Sequence, residues 1–376
     1  MKYITLLSIA ITILLVALNG AASSIGTWTM ANVSNANLSN NELRSINFVN
    51  TSYGWAVGDN GMILHTDNGG INWHRYSIPY NYNFESVKFV DPLTGWIVGF
   101  NGIILYTQNG GNNWNIIKGY GSYNYTDIFF SDQSDGWLVG YNGASHSIIY
   151  HTTNGFSWYN ESYINLEITS IFFINRTIGW AAGGDATIFH TTNGGYSWVK
   201  QNSGTGLILS LYIVNAEIGY AAGYGGTIYL TKNGGMNWSV LWLHIFNPMH
   251  SIYFLNPMYG WVIGYDSQVA YTVNGGYNWS FVDLGVDGLN INSILFIDSN
   301  HGYIVGQDIF TYSGSAAINK NNMAMLPIYS LVALIIIASF VILSVVILYK
   351  KRQYATNKTT KKNLKQSKKK IKKFLK

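Results

Sequence analysis

The chain contains no cysteine, which excludes disulfides as a source of stability, along with thiol nucleophiles and thiolate-bound metals. Charge is scarce too: Asp, Glu, Lys and Arg make up 10% of 376 residues. The formal net charge of +5 misdescribes the body of the protein, because thirteen of the 22 Lys and Arg fall in residues 350–376, after the last of the 17 Asp and Glu. Residues 26–320 carry 8 basic and 17 acidic groups, a net charge of about −9. Such a body offers no basic surface to nucleic acid. Arginine is rarest of all, with only Arg44, Arg75 and Arg176 before the tail.

What the chain has instead is a repeat. Residues 54–73, GWAVGDNGMILHTDNGGINW, read as a short strand, a tight Asp-Asn-Gly turn, a second strand and a polar box ending on a large aromatic. The opening glycine returns as Gly54, Gly95, Gly136, Gly179, Gly219, Gly260 and Gly302, at intervals of 40 to 43 residues. A fixed period of that length filled with short strands marks a propeller or solenoid. Each unit begins with an apolar strand such as SINFVN, SVKFVD or SIFFIN, expected to be innermost. Its closing Asn or Asp stands four residues before the glycine, where an Asx turn would lead into the second strand.

The box Thr-x-Asn-Gly-Gly-x-x-Trp places Thr66, Asn68, Gly70 and Trp73 in the first unit and Thr107, Asn109, Gly111 and Trp114 in the second. It recurs with Thr191, Asn193, Gly195 and Trp198, then Thr231, Asn233, Gly235 and Trp238, then Thr272, Asn274, Gly276 and Trp279, and in a shorter copy at residues 152–158. Thr and Asn side chains satisfy the backbone of a tight turn, the glycines accept positive φ, and the Trp fills the space between blades. This is a structural device and implies no metal or cofactor. Boxes number six but first strands seven, and the seventh unit stops after its third strand. The missing Trp-led strand lies at the other end of the chain, GTWTM at residues 26–30. The expected fold is therefore all-β: a single seven-bladed β-propeller over residues 26–312, its N-terminal strand completing the last blade so that no sheet edge is left open.

The unit resembles the repeat of the photosystem II assembly/stability factor type of β-propeller, and the box is the Asp-box (BNR) motif shared with sialidases, some xyloglucan-type glycosidases and sortilin-like receptors. The resemblance implies a propeller that holds a client membrane protein, in that family through a basic face. With so few arginines that face is not reproduced here, and the carried-over expectation is the general role: a propeller that binds another protein at a membrane.

The flanks supply the membrane. Residues 1–22 join Lys2, an apolar run and a Gly-Ala-Ala cleavage site, the pattern of a secretory signal peptide. Residues 326–349 are 24 residues without a charge, about 36 Å as a helix and enough to cross a bilayer. Lys350, Lys351 and Arg352 follow, which sets the tail inside and the propeller outside. The expected order is signal, propeller, stem at 313–325, transmembrane helix at 326–349 and basic cytoplasmic tail at 350–376. The tail reads either as a solvated flank or as a basic helix lying on the anionic inner leaflet. The expected location is the plasma membrane, with the propeller extracellular.

A binding surface is expected on the face away from the boxes. The residue before each first-strand Ser (or Asp127) should line the mouth of the central channel: Arg44, Glu85, Thr126, Thr169, Leu209, His250 and Asn292. The residue after each second-strand glycine is aromatic in four units, Phe100, Tyr141, Tyr224 and Tyr265. Tyr80, Tyr82, Phe84, Tyr120, Tyr123, Tyr125, Trp242, His244 and Phe246 in longer connections are expected to add to them. Aromatic platforms among Asn and Asp suit sugar rings or extended peptide, so the function expected is a protein- or glycan-binding and assembly module. The alternatives are a glycan-active hydrolase or a structural envelope component. A sialidase needs convergent arginines, and Arg44, Arg75 and Arg176 fall on different elements. A hydrolase would draw on Asp59, Asp185 and Asp266, in equivalent loops. Asn32, Asn37, Asn124 and Asn160, in Asn-x-Ser/Thr sequences placed in connections, are the glycosylation candidates.

Overall fold

The computed structural model describes residues 26–314 apart from 34–37, 39–40, 77, 80, 118–122, 144–145, 203–204, 244 and 246. The expected signal, membrane helix and tail lie outside the described residues, as do Asn37, Tyr80, Tyr120, His244 and Phe246. Among the described residues no helix is long and apolar enough to cross a membrane.

The strands form seven four-stranded antiparallel sheets. Six take four consecutive strands. The seventh joins Gly26–Met30 to Ile291–Phe296, His301–Gly306 and Ile309–Gly314. The last strand runs to Gly314, so the expected boundary at residue 312 falls two residues short: Gly26 pairs with Gly314 and holds the end in the sheet. Each inner strand packs on the inner strand of the next blade, and that of blade 7 packs on that of blade 1, so the ring is closed.

The repeated glycine is required by close approach. It begins the second strand, as at Gly54 in Gly54–Gly58, where a Cβ would enter the ring of Phe48. The Asx turns before it are present in every blade: Asn50, Asp91, Asp132, Asn175, Asn215, Asn256 and Asp298 each accept two backbone N–H groups with one side-chain oxygen.

The box is a self-satisfied turn. Thr66 Oγ1 donates to Asn68 Oδ1 at 3.0 Å and accepts the Gly70 N–H at 2.9 Å, while Asn68 Oδ1 also accepts the Asn72 N–H. The Thr–Gly bond recurs at 2.8–3.0 Å from Thr107, Thr191, Thr231 and Thr272. Gly69 and Gly70 sit at φ of 70° and 81°, where a side chain would be strained. Gly69 N–H then donates to Ser52 O, which docks the box on the Asx turn and puts both on one face of the ring.

Between blades the core is built from three stacked rings. The second-strand aromatic of one blade lies flat on the inner-strand Phe of the next, and the box Trp of that next blade meets the Phe edge-on. Trp55, Phe89 and Trp114 make one junction, with centroids at 3.5 Å and 5.9 Å. Trp96–Phe130–Trp158, Trp137–Phe173–Trp198, Tyr220–Phe254–Trp279 and Tyr303–Phe48–Trp73 repeat it. Such pairs contribute roughly 0.5–1.5 kcal/mol beyond area burial. In blade 5 Ile213 replaces the Phe. The junction of blades 6 and 7 reads Trp261–Phe296–Trp28, so the first strand of the chain delivers the ring that the missing box would have supplied. One detail is lost there. Trp55, Trp96 and Trp137 each donate Nε1–H to a box glycine carbonyl of the next blade, whereas Trp261 Nε1, facing a blade without a box, is buried without an acceptor among the described residues, as is Trp180 Nε1, whose next blade has one.

Candidate functional site

A β-bulge marks the start of the inner strand in all seven blades, between Leu43 and Ser45 in blade 1 and at the equivalent pair in the others. The extra residue is Arg44, Glu85, Thr126, Thr169, Leu209, His250 or Asn292, the positions expected at the channel mouth. A bulge re-aims the side chain it carries. Four of these side chains staple the inner strand of the next blade: Thr126 Oγ1 donates to Ile168 O, Thr169 Oγ1 to Ile208 O and Asn292 Nδ2 to Leu43 O, and His250 Nδ1 lies 3.0 Å from Ile291 O. That holds His250 half-buried, and burial pushes its imidazole below the usual range.

The remaining charged pair is different. Arg44 donates from Nε and Nη2 to the two Asp59 oxygens, both at 3.2 Å, and lies 3.5 Å from Glu42 Oε2. Beside it Glu85 has no hydrogen-bond partner among the described residues. Burial raises its carboxyl to about 7, with Arg44 opposing the shift and Asp59 reinforcing it. This sector of the mouth thus holds three carboxylates against one guanidinium, and one of the three changes charge near neutral pH.

Deeper in the channel lies a group that the reading of the repeat left aside. Asp127 stands where six blades have Ser. It accepts from Ser86 Oγ, Ser170 Oγ and the N–H groups of Ile128 and Ile171 at 2.9–3.2 Å. Enclosure raises its carboxyl to about 6 against the pull of those four donors. Lys88, one blade back, stands over the Phe129 ring at 5.4 Å, and enclosure lowers its ammonium below the usual range while Asp127 opposes the shift. Both were legible as departures from the repeat: Asp among serines, and Lys in an apolar strand.

The aromatic rim is present on this face but uneven. Tyr224 and Tyr265 are 50% and 39% exposed, and Tyr265 meets His250 edge-on at 4.2 Å. Phe100 and Tyr141 are half-buried and offer less surface, and Phe84 and Tyr125, expected in connections, lie instead in the inner strands Phe84–Phe89 and Asn124–Phe130 and are fully buried, so neither is a platform. Trp242, 60% exposed, ends the outer strand Ser239–Trp242 of the blade that carries Tyr224.

The carboxylates expected to serve a hydrolase, Asp59, Asp185 and Asp266, have ion-pair or turn roles. Asp185 and Asp266 occupy the left-handed position of their turns, at φ of 52° and 55°, the place taken by Asn60 and Asn101 in other blades. Asp and Asn tolerate that conformation, which explains both aspartates as turn residues. Asp59 is engaged by Arg44. Arg176 binds Asp132 on the box face and Arg75 lies in the outer strand His74–Tyr76, so the three arginines do not converge. Among the described residues no cluster of His, Asp and Glu could hold a metal.

Two glycosylation candidates are placed differently from expectation. Asn124 opens the inner strand Asn124–Phe130 rather than a connection, and its side-chain oxygen accepts the Asn101 N–H. Asn160 lies within the outer strand Tyr159–Ile164, and both it and Asn32 are exposed.

Comparison with known proteins agrees with this geometry. The family model for photosynthesis system II assembly factor YCF48 matches residues 21–120 and 120–244. Among solved structures, YCF48 bound to D1 peptide superposes with a TM-score of 0.64 at 21% identity, covering 78% of this chain and all of that one. YCF48 from Cyanidioschyzon merolae gives 0.63 at 19% identity, over 77% of this chain and 98% of its own. A catalytically inactive virginiamycin B lyase from Staphylococcus aureus with quinupristin gives 0.63 at 12% identity, over 76% and 99%, a likeness of fold alone. No curated protein matches the chain in sequence. With seven closed blades, six boxes and a family match over more than half its length, the chain belongs to the YCF48 family of photosystem II assembly factor-like β-propellers.

Proposed function

We propose that this protein is a membrane-anchored, extracellular binding and assembly module that holds an extended segment of a client protein on the mouth face of its propeller. The observation that carries the reading is the mouth itself. Seven bulges turn seven side chains to one channel entrance, the sector Glu42–Arg44–Asp59–Glu85 of blades 1 and 2 leaves an excess of negative charge there, and blades 5 and 6 carry the exposed Tyr224 and Tyr265 on the same face. Acidic groups with aromatic platforms suit a peptide carrying Lys or Arg, whose cations are also attracted to ring faces. The peptide-bound YCF48 relative supports a polypeptide ligand over a glycan. Residues 326–349 serve as the anchor at the plasma membrane, with the tail cytoplasmic and its lysines on the inner leaflet, and residues 1–22 as the signal.

The test is binding of the full chain in detergent to a peptide array and a glycan array. Replacing Phe100, Tyr141, Tyr224 and Tyr265 by Ala should reduce peptide retention, with most of the loss from the two exposed tyrosines. Converting Asp59, Asp185 and Asp266 to Asn should leave retention nearly intact. Retention of glycans alone, or release of reducing ends that stops in the Asp variant, would favour the hydrolase.

A further inference from the structure

The mouth is built from three residues of each blade: the bulged one, the one two places before it, and the one after the second-strand glycine. Their chemistry differs around the ring. In blades 1 to 4 these places hold four carboxylates, Glu42, Asp59, Glu85 and Glu167, against one cation, Arg44. Glu42 and Glu167 occupy equivalent places, their carbonyls accepting the N–H of Asp59 and of Gly184. Asp59 is bound by Arg44, whereas the carboxyls of Glu85 and Glu167 have no hydrogen-bond partner among the described residues. Both act on the same ring. Burial raises the Tyr141 phenol above its usual range, Glu167 and Glu85 add to the rise, and Asn124 opposes it.

Blades 5 and 6 hold Leu207, Leu209, Tyr224, Pro248, His250 and Tyr265 at the same places, all partly or well exposed and none a carboxylate. Trp242 pairs with Thr227 just beyond the Tyr224 turn and extends this apolar half outward. The nearest acid, Asp266, accepts from Asn247 Nδ2 at 3.3 Å. Blade 7 separates the halves with amides that bond their neighbours: Asn290 Nδ2 donates to Glu42 Oε1, Gln307 Oε1 accepts the Asn290 N–H, and Asn292 is tied to Leu43 O.

Deeper in the channel the wall divides in the same way. Lys88 and Asp127 lie in blades 2 and 3. From blade 3 to blade 6, Phe129, Phe172, Tyr212 and Tyr253 form a row of packed rings with centroids 5.1, 5.5 and 4.7 Å apart. The Tyr253 hydroxyl donates to Phe296 O at 2.6 Å, so this side of the wall offers ring surface and no charge. Two layers of the channel are thus polar on one side and apolar on the other.

Resting on the peptide-binding reading above, we propose that the mouth recognises a bipartite segment, with a Lys or Arg side chain seated among the carboxylates of blades 1 to 4 and an apolar or aromatic side chain seated against blades 5 and 6. A purely apolar segment would cover the Glu85 and Glu167 carboxylates without a counter-charge, which is costly. A purely basic one would forgo contact with the tyrosines and leucines. Only a segment carrying both groups, some distance apart, matches both halves, and complementary charge fixes its register across the channel.

The test uses the full chain in detergent and fluorescent peptides of about twelve residues, ~40 Å when extended, with chain-free micelles as the blank. Two peptides of one composition carry their lysines in one half and their Leu and Phe in the other, in the two possible orders; a third alternates the same residues. One block order should bind about tenfold tighter than the alternating isomer, about 1.4 kcal/mol. Glu85→Gln with Glu167→Gln should flatten the salt dependence of that peptide. Leu209→Ser with Tyr224→Ser should keep the salt dependence and erase the advantage of the block order, with the thermal transition of both variants unmoved. Block and alternating peptides bound equally well, or the advantage surviving in the Leu209 and Tyr224 variant, would refute the bipartite site while leaving a peptide-binding mouth. Binding of none of the three would refute that reading and this inference with it.

Discussion

The closure of the ring by residues 26–30 can be tested at one side chain. Trp28 pairs in register with Tyr312 and meets Phe296 edge-on at 5.7 Å and 77°. In the complete blades the box Trp meets its Phe at 5.8–6.1 Å and 80–88°. Trp28 therefore does the work of a box Trp without a box, but it is only half-buried. Truncation of a fully buried Trp costs about 3–5 kcal/mol, so Trp28→Ala should cost roughly half of that, about 2 kcal/mol. At about 2.1 cal/mol/K of unfolding entropy per residue, a propeller of this size should lose about 3 °C of Tm. The comparison is Trp114→Ala, which removes the same contact inside a blade whose strands are consecutive.

The two variants should differ in where the structure opens. Trp28→Ala frees a strand held to the sheet by five pairs and by the Thr29–Thr311 contact, so amide protection should fall first in Ile309–Gly314. It should then spread along the exposed edge, and the protein should begin to associate through it. Trp114→Ala should lower Tm without that local signature. If Trp28→Ala leaves Tm and the exchange of Ile309–Gly314 unchanged while Trp114→Ala is destabilising, the ring is not locked by its first strand.

Asp127 has a folded pKa of about 6 against 3.8, so its stability contribution is full below pH 4 and lost as pH rises through 6, about 3 kcal/mol in all. Asp127→Ser, the residue of the other six blades, should flatten stability between pH 4 and 7 in denaturant titrations, and an unchanged slope would refute the assignment. Glu85, raised to about 7, should make retention of a Lys-rich peptide increase between pH 6 and 8, and Glu85→Gln should abolish that rise; a profile unaffected by the substitution would remove Glu85 from the site. Gly136→Ala would drive a methyl into the Phe130 ring and should cost about 1–3 kcal/mol of overpacking strain, seen as a lower urea midpoint with an unchanged m-value.

How much of this was legible in the sequence depends on what repetition can encode. A turn needs the same residues each time it is built, so Thr66, Asn68 and the box glycines, the Asx residues and the split seventh blade stood out from one chain. The bulged positions were locatable for the same reason: each precedes the first-strand Ser. Packing across blades was less visible, because Trp55 and Phe89 lie in different units and nothing in either states which ring stacks on which. The repeat also accounts for what it hides. Asp185 and Asp266 resembled candidate acids until their left-handed φ placed them with Asn60 and Asn101, and Asn124 resembled a loop asparagine until it opened a strand. Conversely, the residues most informative about binding are those by which one blade departs from the rest. Asp127 breaks a ring of serines, Lys88 a ring of uncharged residues, and Glu85 brings an unpaired carboxyl to a mouth otherwise stapled by hydrogen bonds. A symmetric ring has seven equivalent sectors and no preferred orientation for a ligand. These departures fall in blades 2 and 3, so the proposed peptide should lose its register when Glu85, Lys88 and Asp127 are exchanged for the residues of the other blades.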